Sequence, residues 1–336
     1  MQPITHSQLA HILDRLWPHR RPAFIQGSPG IGKTDSVYQW ADTIDACCIA
    51  ESAIHYDAVE VNGFRYPDVK SGYTIIIKPE LIKRVLECKR KNVVIFFDDL
   101  TTSPPLVQAA LYRMMLERRL GDQVLPDNVY VCAAGNRAID AAAVNQMPTP
   151  LRNRMWHGLL EPNIEDWTKW ALKSGIAAEL IAFLRLRSDL LHVFNKNEYA
   201  FCTPRSWAFT SEQIDSFRVS PDPSIEHEVY SGFVGEAAAT ELMGFLRMFR
   251  NVNIDAILMA PQTAPVPDDP SARYAVAVAL SRRATMNNFD SVTAYADRMP
   301  EEFGALCILT AYNRDKKLTQ TTSFIKWAAK HQESFQ

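Results

Sequence analysis

The sequence has no long apolar run, no paired-cysteine motif and no excess of either charge, and each absence removes a class of protein. No stretch approaches the roughly 20 apolar residues that a bilayer-spanning helix needs. Residues 1–21 hold no secretory hydrophobic segment. The expectation is a soluble cytoplasmic protein with no membrane role. Cys47, Cys48, Cys88, Cys132, Cys202 and Cys307 make no Cys-x-x-Cys pair and have no histidine at zinc-ligand spacing. They read as small buried thiols in a reducing compartment, not as a disulfide framework or a zinc site. The net charge of −2 argues against binding nucleic acid through bulk charge, and leaves a local basic patch open. Repeats and low-complexity segments are absent too.

What is present is ample core material. The chain has 336 residues, 47% hydrophobic and 22% charged, close to the average soluble protein. That length allows one large domain or two of ordinary size. Residues 5–17 carry Leu9, Ile12, Leu13, Leu16 and Trp17 at helical spacing. Short apolar runs at 22–26, 47–50, 93–97 and 129–134 read as buried parallel strands. Helices are expected between them, through Val37 and Trp40, from Leu81 to Cys88, and from Pro104-Pro105, where proline suits a first turn. Residues 52–78 differ, with Gly63, Pro67 and Gly72 punctuating short β-like pieces, and 119–125 reads as a tight hairpin. Strands alternating with helices predict a parallel α/β sheet.

After about residue 162 the strand signals stop. Helices are expected over 163–174, 176–188, 204–214, 226–249, 271–285 and from 300 to the end, with the proline-rich 261–270 as a break. The expected organisation is an α/β domain at 1–162, a helical lid at 163–260 and a helical extension at 261–336.

Gly27-Ser-Pro-Gly-Ile-Gly-Lys-Thr34 matches the Walker A pattern GxxxxGK[ST]. Glycines let backbone N–H groups wrap phosphates, and the following helix points its positive end at them. Lys33 would reach the β- and γ-phosphates of ATP, and the Thr34 hydroxyl would ligate Mg2+. Ser28, Pro29, Gly30, Ile31, Gly32 and Asp35 complete the expected nucleotide-contacting set. At average residue usage a chance match in such a chain has odds of roughly one in a hundred, and a strand before and a helix after improve on that. Val93-Val-Ile-Phe-Phe-Asp-Asp99 fits a Walker B strand, whose carboxyl end is where open α/β sheets bind ligands. Asp98 would hold magnesium, and Asp99 would orient the attacking water or merely cap the next turn. Asn136, closing the strand 129–134, could contact the γ-phosphate, or simply form a turn after Gly135.

Gly27–Thr34, Asp98-Asp-Leu, Ala134-Gly-Asn-Arg, Pro150-Leu-Arg-Asn-Arg-Met155 and Cys202-Thr-Pro-Arg-Ser-Trp207 come in an order and spacing that resembles MoxR-like AAA+ ATPases over about residues 8–215. The resemblance implies a P-loop AAA+ core with an all-α lid. It makes Asn136 resemble sensor 1 and Arg205 resemble sensor 2. Arg154, with Arg152 as the alternative, resembles the arginine finger completing a neighbour's site, although a surface salt bridge is the plainer reading of either. It further implies a ring of usually six subunits, ATP-driven remodelling of a partner protein, and a partner bearing a von Willebrand factor A domain. Residues 56–78 and 119–125 fall where these ATPases carry an insert at helix 2 and a hairpin before sensor 1. Two departures stand out. Asp99 replaces the usual Glu, and a carboxylate displaced by about 1 Å can cost about a hundredfold in rate. Glu60 and Asn62 stand in the insert where Asp and Arg are expected.

Lys83, Arg84, Lys89, Arg90 and Lys91 read first as a solvated helix face, with nucleic acid or an acidic partner as the rival. The leading expectation is an ATP-driven motor. A slow-hydrolysing, nucleotide-gated assembly switch and a nucleic-acid-handling AAA+ protein are the alternatives. No Asn-Lys-x-Asp guanine-reading motif is present.

Overall fold

The computed structural model describes residues 1–77, 79–120, 123–137, 139, 140, 145 and 147–331. A short strand β1 (Pro3–Ile4) precedes α1 (His6–Leu16). Thr5 caps that helix, its hydroxyl accepting from the Gln8 amide while the Gln8 side chain returns to the Thr5 amide, a reciprocal capping box. Then follow β2 (Ala23–Gln26), α2 (Lys33–Thr43), β3 (Ala46–Ser52) and α3 (Ala58–Asn62). The insert is a hairpin of β4 (Phe64–Asp68) and β5 (Tyr73–Ile77). Beyond it lie α4 (Glu80–Glu87), β6 (Asn92–Asp98) and α5 (Pro105–Glu117). A small antiparallel pair, β7 (Arg119–Leu120) with β8 (Gln123–Val124), forms the expected second hairpin, whose Gly121 and Asp122 lie outside the described residues. The sheet is completed by β9 (Val129–Gly135) and, after α6 (Thr149–Arg152), β10 (Trp156–Leu160).

Six strands form one sheet in the order β1-β10-β2-β9-β6-β3, and every pairing is parallel. All carboxyl ends therefore face the same edge. Gln26 pairs with Gly135, and Asp98 with Ser52, so the segments leaving β2, β9 and β6 begin side by side. Alternation along the strands explains why both faces are covered. Val93, Ile95 and Phe97 pack with Val129, Val131 and Ala133 against Leu111 and Met114 of α5 and Ile82 of α4. Val94 and Phe96 pack with Tyr130, Cys132 and Ala134 against Leu9 and Leu13 of α1 and Val37 and Trp40 of α2. This is the expected three-layer α/β/α P-loop fold, followed by a helical C-terminal part.

The helical part comprises α7 (Ile164–Lys173), α8 (Ala178–Leu186), α9 (Pro204–Val219), α10 (Glu226–Val234), α11 (Glu236–Asn251), α12 (Ile254–Met259), α13 (Pro270–Arg283), α14 (Phe289–Ala296), α15 (Glu301–Arg314) and α16 (Thr322–Lys330). By contacts the chain divides into two compact units. One is Met1–Trp167 with Phe194–Asn197 and Thr203–Arg205. The other is Thr168–Val193, Glu198–Cys202 and Ser206–Gln336. Within the second, the Glu179 side chain is only 9% exposed and its carboxylate is met by Arg218 at 2.8 Å and Arg282 at 2.9 Å, as a buried charge requires.

Two expectations need correction. The single helix over 226–249 is two, because Gly235 takes φ +87 between Val234 and Glu236, a conformation open to glycine. The sequence reading also missed β10, where His157 and Gly158 interrupt the apolar pattern. The six cysteines are all thiols, with Cys132, Cys202 and Cys307 buried and Cys47, Cys48 and Cys88 half-buried. Among the described residues no helix is long and apolar enough to cross a membrane.

Candidate nucleotide-binding site

The loop between β2 and α2 is shaped by its glycines. Gly30 and Gly32 take φ +75 and +90, the left-handed region that costs other residues about 1–2 kcal/mol. A Cβ on Gly27 would lie 2.4 Å from Ile31 Cδ1 and 2.8 Å from Leu160 O. Gly32 is the N-cap of α2 and offers no side chain to the first-turn amides. Those N–H groups of Lys33, Thr34 and Asp35 are the orphans that an anion at a helix N-terminus satisfies.

Lys33 is 7% exposed. Its Nζ donates to Gly27 O at 3.0 Å, Ser28 O at 3.0 Å and Asn136 Oδ1 at 3.1 Å. Burial lowers its pKa, the charges of Asp98 and Asp99 push it back up, and Arg205 lowers it further. Thr34 Oγ1 donates to Asp98 Oδ2 at 2.5 Å, and Asp98 Oδ1 accepts from the Asp99 amide at 2.9 Å. Two hard oxygen donors side by side at the helix start suit a magnesium ion, which takes one or two protein oxygens and fills its remaining positions with water and phosphate oxygens. Among the described residues no cluster of three or more His, Cys, Asp or Glu forms a cation site of its own.

Asp99 has φ +54. Its carbonyl, not its carboxylate, closes the next turn, accepting from the Thr102 and Ser103 amides at 2.9 and 3.2 Å. The carboxylate pKa is raised, first by burial and then by Asp98, against the opposing charges of Lys33, Arg205 and His55. The segment Thr203–Arg205 reaches the same loop. The Arg205 amide donates to Gly30 O at 3.1 Å, and a Cβ on Gly30 would meet Thr203 Oγ1 at 2.8 Å.

The structure thus brings together Gly27–Asp35, Asp98, Asp99, Asn136 and Arg205. Arg152 and Arg154 stand apart and are exposed. Arg154 Nη1 donates to Tyr112 Oη at 2.6 Å with its guanidinium 5.7 Å from that ring centre, and Arg152 Nη2 donates to Thr149 Oγ1 at 3.1 Å. In the basic cluster, Arg84 pairs with Glu51, and Arg90 with Asp42 at 2.5 Å, so two of its five cations are neutralised locally. On the insert hairpin, Phe64 faces Ile77 and Tyr66 faces Ile75 in register, all four about half exposed.

Sequence reasoning missed several groups around the loop. His6 Nε2 lies 2.9 Å from Ile31 O. The ring nitrogen donates to that carbonyl, and burial lowers the His6 pKa. Thr101 Oγ1 donates to Asn136 O at 3.3 Å. Arg137, Asp140 and Ser28 form a closed set of hydrogen bonds. Arg137 stands next to Asn136 in a segment already singled out. Nothing in the pattern ties Asp140 to the loop residue Ser28, more than a hundred positions away.

No protein-family model matches the sequence, and no curated protein matches it. Among solved structures the chain is similar to a candidate ATPase from Cytophaga hutchinsonii (16% identity, 91% of this chain and 79% of that one, TM-score 0.33). It is also similar to NtrX from Brucella abortus in complex with ADP (12%, 97% and 67%, TM-score 0.42), and to a RuvB variant from Thermotoga maritima (12%, 77% of each, TM-score 0.40).

Proposed function

We propose that this protein is a ring-forming ATPase of the AAA+ type, similar to the MoxR-like group, which hydrolyses MgATP and remodels a partner protein. The observation that carries the reading is the convergence on one loop of the Lys33 ammonium, the Thr34–Asp98 pair 2.5 Å apart, Asn136 at 3.1 Å from Lys33, and the Arg205 backbone on Gly30. Backbone amides at the start of α2 bind the phosphates, and Lys33 gives up its carbonyl partners to meet them. Thr34 and Asp98 would hold magnesium, which when bound would supply counter-charge to the phosphate oxygens. Asp99 orients the attacking water, Asn136 fixes its other side, and Arg205 supports the charge that develops on the transferring group. Arg154, with Arg152 as alternate, serves the neighbouring subunit's site, where an arginine supplied in trans is worth about 10³–10⁵ in rate. Residues 163–260 form the lid and 261–336 a helical extension. The partner is a protein bearing a von Willebrand factor A domain, and the ring is a hexamer.

Lys33→Ala should abolish ATP turnover, and specific activity of the native protein should rise with concentration as rings assemble. Undiminished turnover in Lys33→Ala would remove this loop from the mechanism. One observation favours a second reading. Asp99 is one methylene shorter than the glutamate of the resemblance. A slow site would make the protein a nucleotide-gated assembly switch, in which ATP sets the oligomeric state.

A further inference from the structure

Beside the phosphate-facing side of the loop lies a second set of contacts that the proposed catalytic roles do not use. Asp140 is a buried carboxylate, its side chain 3% exposed. It accepts from Arg137 Nε at 2.5 Å, Arg137 Nη2 at 2.9 Å and Ser28 Oγ at 2.9 Å. Arg137 Nη2 also donates to Ser28 Oγ at 2.6 Å, and Nη1 lies 3.8 Å from Glu161. The Ser28 hydroxyl is therefore used as both donor and acceptor. A forked guanidinium on a carboxylate is among the stronger and more directional pairings available to side chains. A carboxylate is buried in this way only where it is paired.

The position of this clasp gives it a task. Ser28 is held twice, by its carbonyl on Lys33 Nζ at 3.0 Å and by its hydroxyl in the clasp. Arg137 follows Asn136, whose side chain is a further partner of Lys33. The Gly27 amide is tied to Gly135 O at 3.3 Å, so the ends of β2 and β9 are joined at the same level. A Lys33 that turned to phosphates would release the carbonyls of Gly27 and Ser28 and the oxygen of Asn136, whereas none of the hydrogen bonds of the clasp involves Lys33.

Resting on the nucleotide-binding reading above, we propose that Arg137 and Asp140 are positioning residues that hold the Ser28 side of the loop in its phosphate-receiving shape through the Ser28 hydroxyl, and that they keep Asn136 aimed while Lys33 is engaged with nucleotide. They touch no reacting atom in this account. Their effect is preorganisation: a loop already in its bound shape loses less on binding.

The test is a double-mutant cycle on the full chain. It joins Ser28→Ala and Arg137→Lys, read by titration with a fluorescent, slowly hydrolysed ATP analogue in magnesium. Lysine keeps the charge of Arg137 and loses the fork, so that variant retains a charge beside Asp140. Each single change is expected to weaken analogue binding about tenfold, and the double variant to be no weaker than the worse single one, a coupling of the size contacting pairs show. The melting temperature without nucleotide is expected to stay near the native value, which separates positioning from general destabilisation. Asp140→Asn turns one of the two oxygens that accept from Arg137 into an NH2 donor and removes the counter-charge, so it is expected to lose at least as much affinity as Arg137→Lys, and unchanged affinity in it would likewise overturn the proposal. Additive losses, unchanged affinity in the single variants, or losses that track a fall in melting temperature would each overturn the proposal. If the native protein itself does not bind the analogue, or Lys33→Ala binds it equally well, the nucleotide reading fails instead.

Discussion

Lengthening Asp99 by one methylene, Asp99→Glu, is expected to slow turnover even though glutamate is the residue the resemblance calls for. Residue 99 stands at φ +54 directly after β6, with Asp98 Oδ1 on its amide and two following amides on its carbonyl. Its backbone direction is set by those three bonds, not by its side chain. Aspartate and asparagine enter the left-handed region more readily than longer residues. Glutamate would carry the carboxylate about 1.5 Å further along the same vector, past the position now balanced between Lys33, Arg205 and Asp98. A displacement of that order costs about a hundredfold in rate, or about 2.7 kcal/mol in the barrier. The left-handed backbone would cost glutamate up to about 1–2 kcal/mol of stability, a fall of roughly 2–8 °C for a unit of this size. Steady-state turnover at saturating MgATP, beside analogue affinity and melting temperature, reads all three. The expected result is a loss in kcat of about a hundredfold with nucleotide affinity nearly unchanged. A rise in kcat would refute the reasoning and would show a site built for glutamate and throttled by aspartate, which is the assembly-switch reading.

Asp99→Asn should abolish turnover and raise stability at neutral pH. The folded-state pKa of Asp99 is raised, so its carboxylate favours the folded state only when protonated. The stability difference between variant and native protein should be nil at low pH, grow as pH rises from the ordinary aspartate value of about 3.9 through the raised folded value, and stay level above it; a difference independent of pH in that window would contradict this. Gly30→Ala forces an alanine to φ +75 with its Cβ 2.8 Å from Thr203 Oγ1. That strain of about 1–2 kcal/mol should weaken nucleotide binding about tenfold, seen in the same titration. Arg154→Ala and Lys33→Ala should each be inactive alone and regain partial turnover when mixed, since each supplies what the other's interface lacks; no recovery on mixing, with rings still forming, would count against a trans role. Chelating magnesium should weaken ATP binding by at least about tenfold, because Asp98 and Asp99 would then face the phosphates without a counter-cation, and calorimetry with and without chelator measures this.

The core of the fold was legible because its signals are short and strong. Val93–Phe97 and Val129–Ala134 are continuous apolar runs, and the structure buries alternate residues of each on opposite faces. That double burial erases the alternation a one-sided strand would show. β10 was illegible for the opposite reason. It is a five-residue strand with His157 and Gly158 in it, and it is recruited by pairing with β2 over four residues, a tertiary effect that outweighs its weak local preference. The break at Gly235 is not legible in the sequence because apolar spacing continues across it, while φ +87 ends the helix whatever the pattern.

The site divides along a similar line. Residues placed by sequence-local geometry can be located from the sequence. Gly27–Thr34 is a loop running into a helix, and Asp98 is the last residue of a buried strand. Residues that depend on distant partners are not so located, except Asn136 and Arg205, which the resemblance supplies. Asp140 becomes meaningful only when the order β2-β9 brings residue 28 beside residue 137, and Thr203 only when its segment meets Gly30. Asp99 is the instructive intermediate. Its identity is a departure from the resemblance, and its left-handed backbone supplies a physical reason for it that composition and spacing do not contain. The turn that Asp98 and the carbonyl of residue 99 impose favours a short acid. The substitution that looks like a loss of reach is, on this backbone, the residue that fits.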